Sequence, residues 1–365
     1  MNGNQFNMKL LVCTVKPGQI SGIVVGQTAV YRYLRNIVKY EISYFYYGQK
    51  TRGKERLLKK IVLRTTDLIM LIGRVMWFKP DIVHIDTAHD SKTLIRDFLT
   101  VTALSMLKQK KFIIIHGANL ERIQTNRIFN ILSKYIIYHS EGIGLLSTIE
   151  KKYLDRAFPR RKSFLVRCGL SPSIVKRVPA RKSAPIGFTI LFSGRIITQK
   201  GIFEAIEAMQ TVVRRKPKTQ MIIVGDGGQL REAKAMVKQY GLTNNIVFRG
   251  YVADDAAYFS YCDLFVLPTY YDEGFPTAII KALFFGKPII TTKLRGARDY
   301  LKEPANCLWV KPKDARDLAR QLLRIINAPG LRKIMSRNNH RLSGQFTDSY
   351  AAEQLRAVYR NILAD

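Results

Sequence analysis

Two short runs in this chain combine charge, glycine and a change from strand to helix in a way that suits a phosphate-bearing ligand. The first is Ser193-Gly194-Arg195, which ends the apolar run Phe188-Thr189-Ile190-Leu191-Phe192. Lys200-Gly201 follow, ahead of an amphipathic segment with Ile202, Ala205, Ile206 and Met209 on one side. Arginine and lysine stay cationic at neutral pH, and beside a glycine turn at a strand's carboxyl end they suit a diphosphate. The second run is Tyr271-Asp272-Glu273-Gly274-Phe275-Pro276-Thr277. It follows Leu264-Phe265-Val266-Leu267-Pro268 and opens an apolar-periodic segment, Thr277 to Phe285, that stops at Gly286-Lys287-Pro288 as a helix should. Glycine allows close backbone approach, and the N–H groups of a first helical turn point at an anion. Alone, the second run is equally an ordinary strand-to-helix turn with a solvated acid; the two runs together favour a ligand site.

These runs need elements to hold them, and the chain alternates strands and helices throughout. That order predicts parallel sheets covered on both faces, an α/β fold. Lys9–Val15, Asp81–Ile85 and Phe112–His116 read as strands ending in loops, with Ser163–Arg167 as the last strand of the first sheet. The second half alternates from Phe188 to about Val310, and helices follow. Residues 176–187 carry two prolines and a charge run, and 179–187 reads as a linker between a domain over 1–178 and another over 188–345. A length of 365 residues with 47% hydrophobic content is enough for two cores. The last segment, 346–365, carries an amphipathic pattern of Ala352, Leu355, Val358, Tyr359 and Ile362.

Together, S-G-R-(x4)-K-G and E-G-F-P-(x4)-K-A-(x3)-G-K-P resemble the retaining, nucleotide-sugar-dependent glycosyltransferases of family four. The resemblance is strong from about residue 188 to 325 and fainter before residue 180. It implies a GT-B fold, two doubly wound Rossmann-like domains facing each other across a cleft, with the segment 346–365 crossing back onto the first domain. It also implies roles. Arg195 and Lys200 hold the donor diphosphate and stabilise the leaving nucleotide, while Glu273 contacts hydroxyls of the donor sugar. Gly194, Gly274, Phe275, Pro276 and Thr277 bring backbone to the donor. In the first domain, His116-Gly117 ends an apolar strand where the family has a histidine that contacts the donor sugar. Gly18-Gln19-Ile20-Ser21-Gly22 follows the first strand, either as a loop at the donor phosphates or acceptor or as a plain turn. Arg122 and Ser147-Thr148 are weaker candidates, and His84, His89, His139 and His340 have no such context.

The departures from the pattern carry information too. Where the family has a second glutamate that binds the nucleotide ribose, this chain has Lys281, which cannot accept hydrogen bonds from ribose hydroxyls. Lys281 either pairs with Glu273, contacts a donor phosphate, or marks an altered donor. Cys168 replaces an asparagine before Gly169, Cys307 stands where glycine is common, and Arg298-Asp299 replaces a proline-glutamate pair. Gly225-Asp226-Gly227 lacks the rest of a dinucleotide fingerprint and reads as a turn.

The four cysteines lie far apart, which favours reduced thiols over disulfides or zinc. No apolar stretch reaches the length of a membrane span, no secretory signal is visible, and a cytoplasmic location is expected. The net charge of +33 divides as +20 for residues 1–180 and +13 for 181–365. Such a field suits an anionic membrane surface or substrate, and no nucleic-acid-binding module is visible. Lys50–Lys79 interleaves basic and apolar residues with Trp77. It is either a helix that lies in a membrane interface or a domain helix with a solvated basic face.

The expectation is a retaining glycosyltransferase that moves a sugar from a nucleoside diphosphate-sugar to a glycan or glycolipid acceptor. It would use no cofactor and no metal, since no Asp-x-Asp pair occurs. The acceptor is expected to be lipid-linked, at the inner face of the cytoplasmic membrane. Two alternatives stay open: a GT-B sugar epimerase, and a non-catalytic binding protein that has lost its ribose clamp at Lys281.

Overall fold

A computed structural model describes residues 8–15, 22–46, 57–90, 93–117, 126–176, 187–271 and 273–364. The chain forms two compact units. The first comprises Met1–Gly169, Asp272–Gly274 and Asp348–Asp365; the second comprises Leu170–Tyr271 and Phe275–Thr347.

The first unit is built on a six-stranded parallel sheet. Its strands are β1 (Lys9–Thr14), β2 (Glu41–Tyr46), β3 (Ile82–Thr87), β4 (Lys111–Ile115), β5 (Gly142–Leu145) and β6 (Ser163–Leu165), in the order β2-β1-β3-β4-β5-β6. The inner strands are covered by helices on both faces, and every residue of β3, β4 and β5 is buried, the polar His84, Asp86, Thr87 and Lys111 included. The helix Leu57–Phe78 turns Leu71, Val75 and Phe78 into this core. The helix Asp348–Leu363 buries Leu355, Tyr359 and Ile362, and its Ile362 comes close to β5 at Gly142. The strand expected over Ser163–Arg167 is present but stops at Leu165.

The second unit repeats the architecture with a different order. Its strands are β7 (Thr189–Ser193), β8 (Gln220–Val224), β9 (Ile246–Gly250), β10 (Leu264–Leu267), β11 (Ile289–Thr292) and β12 (Cys307–Val310), arranged β12-β11-β10-β7-β8-β9 and all parallel. The chain leaves β7 toward β8 on one side and returns to β10 on the other. Loops after β7 and β10 therefore diverge at a topological switch point, where open α/β sheets bind ligands. Leu170–Lys176 belong to this unit, whereas the sequence placed them in the first domain. The helix Ser173–Lys176 packs on Ala256–Tyr261, and the Leu170 amide donates to the Phe346 carbonyl at 2.8 Å. Most of the expected linker 179–187 lies outside the described residues.

Candidate active site

In the second unit the two sequence runs meet at the switch point. The Tyr270 amide donates to the Gln199 carbonyl at 2.8 Å, which ties the loop after β10 to the loop after β7. The Tyr271 ring then serves both cations: the Arg195 guanidinium lies 4.5 Å from its centre and the Lys200 ammonium 5.2 Å. Arg195 is exposed, whereas Lys200 is only 6% exposed. Two cations held against one aromatic ring form a positive site suited to a diphosphate.

Glycines make this approach possible. Gly201 has φ of 76°, and a Cβ there would fall 2.4 Å from the Pro268 carbonyl oxygen. Gly225 has φ of 142°, and its Cβ would fall 1.9 Å from the Gly194 carbonyl oxygen. The Gly225-Asp226-Gly227 turn is thus a support laid directly over the Arg195 loop, with the Ile196 amide donating to Asp226 O at 3.0 Å. Sequence reading took it for a turn and missed that contact.

Lys281 pairs with Asp255, which is 6% exposed, and the other carboxylate oxygen of Asp255 accepts from Ser193 Oγ at 2.7 Å. The expected candidates for Lys281 did not include Asp255. The pair sits at the end of β7, next to Gly194, and places a carboxylate in this region. Phe275 is buried between Tyr300 and Phe346, with ring centres 5.2 and 5.0 Å away, and anchors the loop ahead of Pro276 and the helix Thr277–Phe284. In the first turn of that helix the Ile279 and Ile280 amides donate to the Pro276 carbonyl at 2.9 and 3.3 Å.

Glu273 and Gly274 group with the first unit, where Gly274 is buried and a Cβ on it would lie 2.4 Å from Leu146 Cβ. His116, just after β4, is the centre of a network the sequence did not reveal. Its Nε2 lies 2.8 Å from Asp86 Oδ1, and its side chain is 4% exposed. Asp86 also accepts from Tyr31 Oη at 2.9 Å and lies 3.4 Å from His84 Nε2. His84 Nδ1 in turn meets Tyr359 Oη at 2.5 Å, on the last helix. Burial alone would lower the His116 pKa, but hydrogen bonds to Asp86 and Cys168 outweigh it and raise it to about 9. Burial would raise that of Asp86, yet His116 and His84 hold it far below the carboxylate range. His116 is therefore a fixed imidazolium at neutral pH. The signal available in sequence was the pair His84 and Asp86 within the strand Ile82–Thr87, since a buried charge needs partners.

The weaker candidates separate. Ser147 caps the helix Thr148–Ala157 by accepting from the Glu150 amide at 3.3 Å, a structural role. Gly22 begins the helix Gly22–Asn36, while Gly18 and Arg122 lie outside the described residues. His89 meets Ser133 Oγ at 3.0 Å, His139 stacks on Tyr135, and His340 lies 3.2 Å from the Phe284 carbonyl. Among the described residues no group of three or more His, Cys, Asp or Glu is placed to hold a metal ion.

Residues 180–342 match the family model described as glycosyl transferases group 1. That stretch, under half of the chain, is similar to a group 1 glycosyl transferase domain. The resemblance raised by the Arg195, Lys200 and Glu273 motifs is borne out, and the group 1 domain covers nearly all of the second unit. The uncharacterized glycosyltransferase MJ1607 of Methanocaldococcus jannaschii is 30% identical over 151 residues, 41% of this chain and 38% of that protein. The capsular polysaccharide biosynthesis glycosyltransferase CapM of Staphylococcus aureus is 26% identical over 180 residues, 49% of this chain and 47% of that protein. The chain thus spans about half the length or less of these curated relatives. Over 97% of its own length it superposes on all of HepE from Anabaena, solved with UDP-glucose, at a TM-score of 0.76 and 16% identity. That likeness establishes the fold as GT-B.

Proposed function

We propose that this protein is a retaining glycosyltransferase. It moves a sugar from a nucleoside diphosphate-sugar to an acceptor hydroxyl on a lipid-linked or surface-polysaccharide precursor. The observation that carries this reading is the placement of Arg195 and Lys200 against the Tyr271 ring at the switch point of the stretch that matches the group 1 model. The acceptor oxygen forms its bond to the donor C1 on the face that the diphosphate leaves, and the hydroxyl proton passes to the departing phosphate. Arg195 and Lys200 stabilise the charge that grows there, the electrostatic task that dominates such reactions. In this reading the two cations do the work of a divalent ion. The UDP-glucose bound to HepE and the capsular role in the name of CapM support the donor and acceptor classes.

A lipid-linked acceptor is supported by the surface of the first unit. The helices Leu57–Phe78, Leu94–Met106 and Arg127–Tyr138 pack side by side. They leave Met70, Met76, Trp77, Ile95, Met106 and Ile128 each more than 60% exposed. An apolar surface on the more basic half of the chain suits an anionic bilayer. No helix among the described residues is long and apolar enough to cross one. Within Leu57–Phe78, Leu71, Val75 and Phe78 pack inward while Ile69, Met70, Met76 and Trp77 face solvent.

A thermal-shift series with UDP, GDP, ADP, CMP and their sugar conjugates, with and without magnesium, tests the donor site. One nucleotide should raise Tm without metal, and Arg195→Ala or Lys200→Ala should abolish the rise. No response to any nucleotide would sink the transferase reading and leave the non-catalytic one.

A further inference from the structure

Outside the switch-point loops, the first unit holds a cavity of about 340 Å³ at the carboxyl-terminal ends of β1 and β2, against the helix Gly22–Asn36. This is the lower end of the range for small-molecule pockets, roughly 300–1,000 Å³, and matches one sugar ring better than a whole glycan. One wall is aromatic. Tyr44 and Tyr46 stack with ring centres 5.8 Å apart and planes 3° from parallel, and Tyr46 is 39% exposed. A second wall is cationic. The Arg35 guanidinium lies 5.1 Å over the Tyr44 ring while donating to the Ile42 carbonyl at 2.8 Å, and Arg32 is exposed beside it. The third feature is Gln27, which lines the cavity, is 1% exposed, and has no hydrogen-bond partner for either its Oε1 or its Nε2. A buried amide without partners is costly, so its retention calls for a reason.

We propose that this cavity binds the leading sugar of the acceptor, and that this sugar is anionic, its ring carrying a carboxylate or a phosphate. The stacked tyrosines cover an apolar sugar face, and Arg32 and Arg35 meet the charge with donors shaped for carboxylate or phosphate. Gln27 supplies one acceptor and two donors to ring substituents, which completes its hydrogen bonds. Tyr31, also in the lining, links the cavity to the buried network, because its hydroxyl donates to Asp86 and Asp86 holds His116. The inference rests on the transferase reading for the word acceptor, but the binding it predicts needs no donor.

Calorimetric titration of the full chain with glucuronate, glucose 1-phosphate and glucose, without nucleotide, tests it. At least one charged sugar should bind at least 10-fold more tightly than glucose; preference for glucuronate identifies a uronic acid, and preference for glucose 1-phosphate a phosphate-bearing sugar. Arg32→Ala should weaken that binding with Tm unchanged. Gln27→Leu should weaken it at least 10-fold while raising Tm by about 2 °C, since it removes an unsatisfied buried amide. Equal binding of glucose, binding of none of the three, or a Gln27→Leu protein that keeps its affinity and loses Tm would overturn the proposal. Charged-sugar binding without any nucleotide response would keep it and discard the transferase reading, and the converse would do the reverse.

Discussion

Asp86 is a carboxylate in a strand with no exposed residue, and its contacts with Tyr31, His84 and His116 make it the most committed charge in the first unit. The pH dependence of stability follows from the two shifts. The folded His116 value, about 9, lies above its ordinary 6.5, so its contribution is complete below pH 6.5 and is lost as pH rises through 9. The depressed Asp86 contributes fully above its ordinary 3.8 and loses that contribution only in stronger acid. The pair therefore stabilises most between about pH 4 and 6.5. His116→Gln should cost on the order of 3 kcal/mol in that window, and the gap to wild type should shrink toward pH 9.5 in urea unfolding curves. A gap that stays constant with pH would show that His116 is not charged. Lys281 gives a second prediction at this scale. Lys281→Met leaves a buried carboxylate unpaired and should cost roughly 3 kcal/mol, whereas adding Asp255→Asn should restore most of it. An additive double variant would mean that the pair does not couple.

At the scale of elements, the switch-point loops depend on backbone that only glycine allows. Gly225→Ala drives a methyl group into the Gly194 carbonyl and should cost more than about 3 kcal/mol by denaturant titration. Any folded fraction should show a weaker nucleotide response, because the Arg195 loop must move; an unchanged response would detach the turn from the site. This is also where sequence reading succeeded and failed. Strands such as Lys111–Ile115 and Leu264–Leu267 were visible as apolar runs, and the loops that follow them carried the motif residues. β5 was missed because Gly142 and Gly144 make it look like a turn. Those glycines are there for packing: a Cβ on either would strike the ring of Phe164 or Phe112 at 2.9 or 2.8 Å. The Asp86 network was hidden for another reason, since Tyr31 and Tyr359 come from positions 55 residues before it and, through His84, 275 residues away. Local patterns cannot report such pairings.

At the scale of the molecule, the +33 charge and the apolar surface on the first unit predict salt-sensitive membrane attachment. Trp77, 73% exposed with the Arg74 guanidinium 5.5 Å from its ring centre, is the natural probe. Its emission should shift to shorter wavelength on anionic vesicles at low salt and return at high salt, with Trp77→Phe as the control for Trp309. Identical spectra with and without vesicles would remove the membrane from the proposal. The last helix has a different consequence. Tyr359 completes the buried network of the first unit, yet the whole second unit is threaded between it and the strands it joins. On the ribosome, the unit made first must wait with an open seam while the second is made, until the helix that carries Tyr359 emerges to close it.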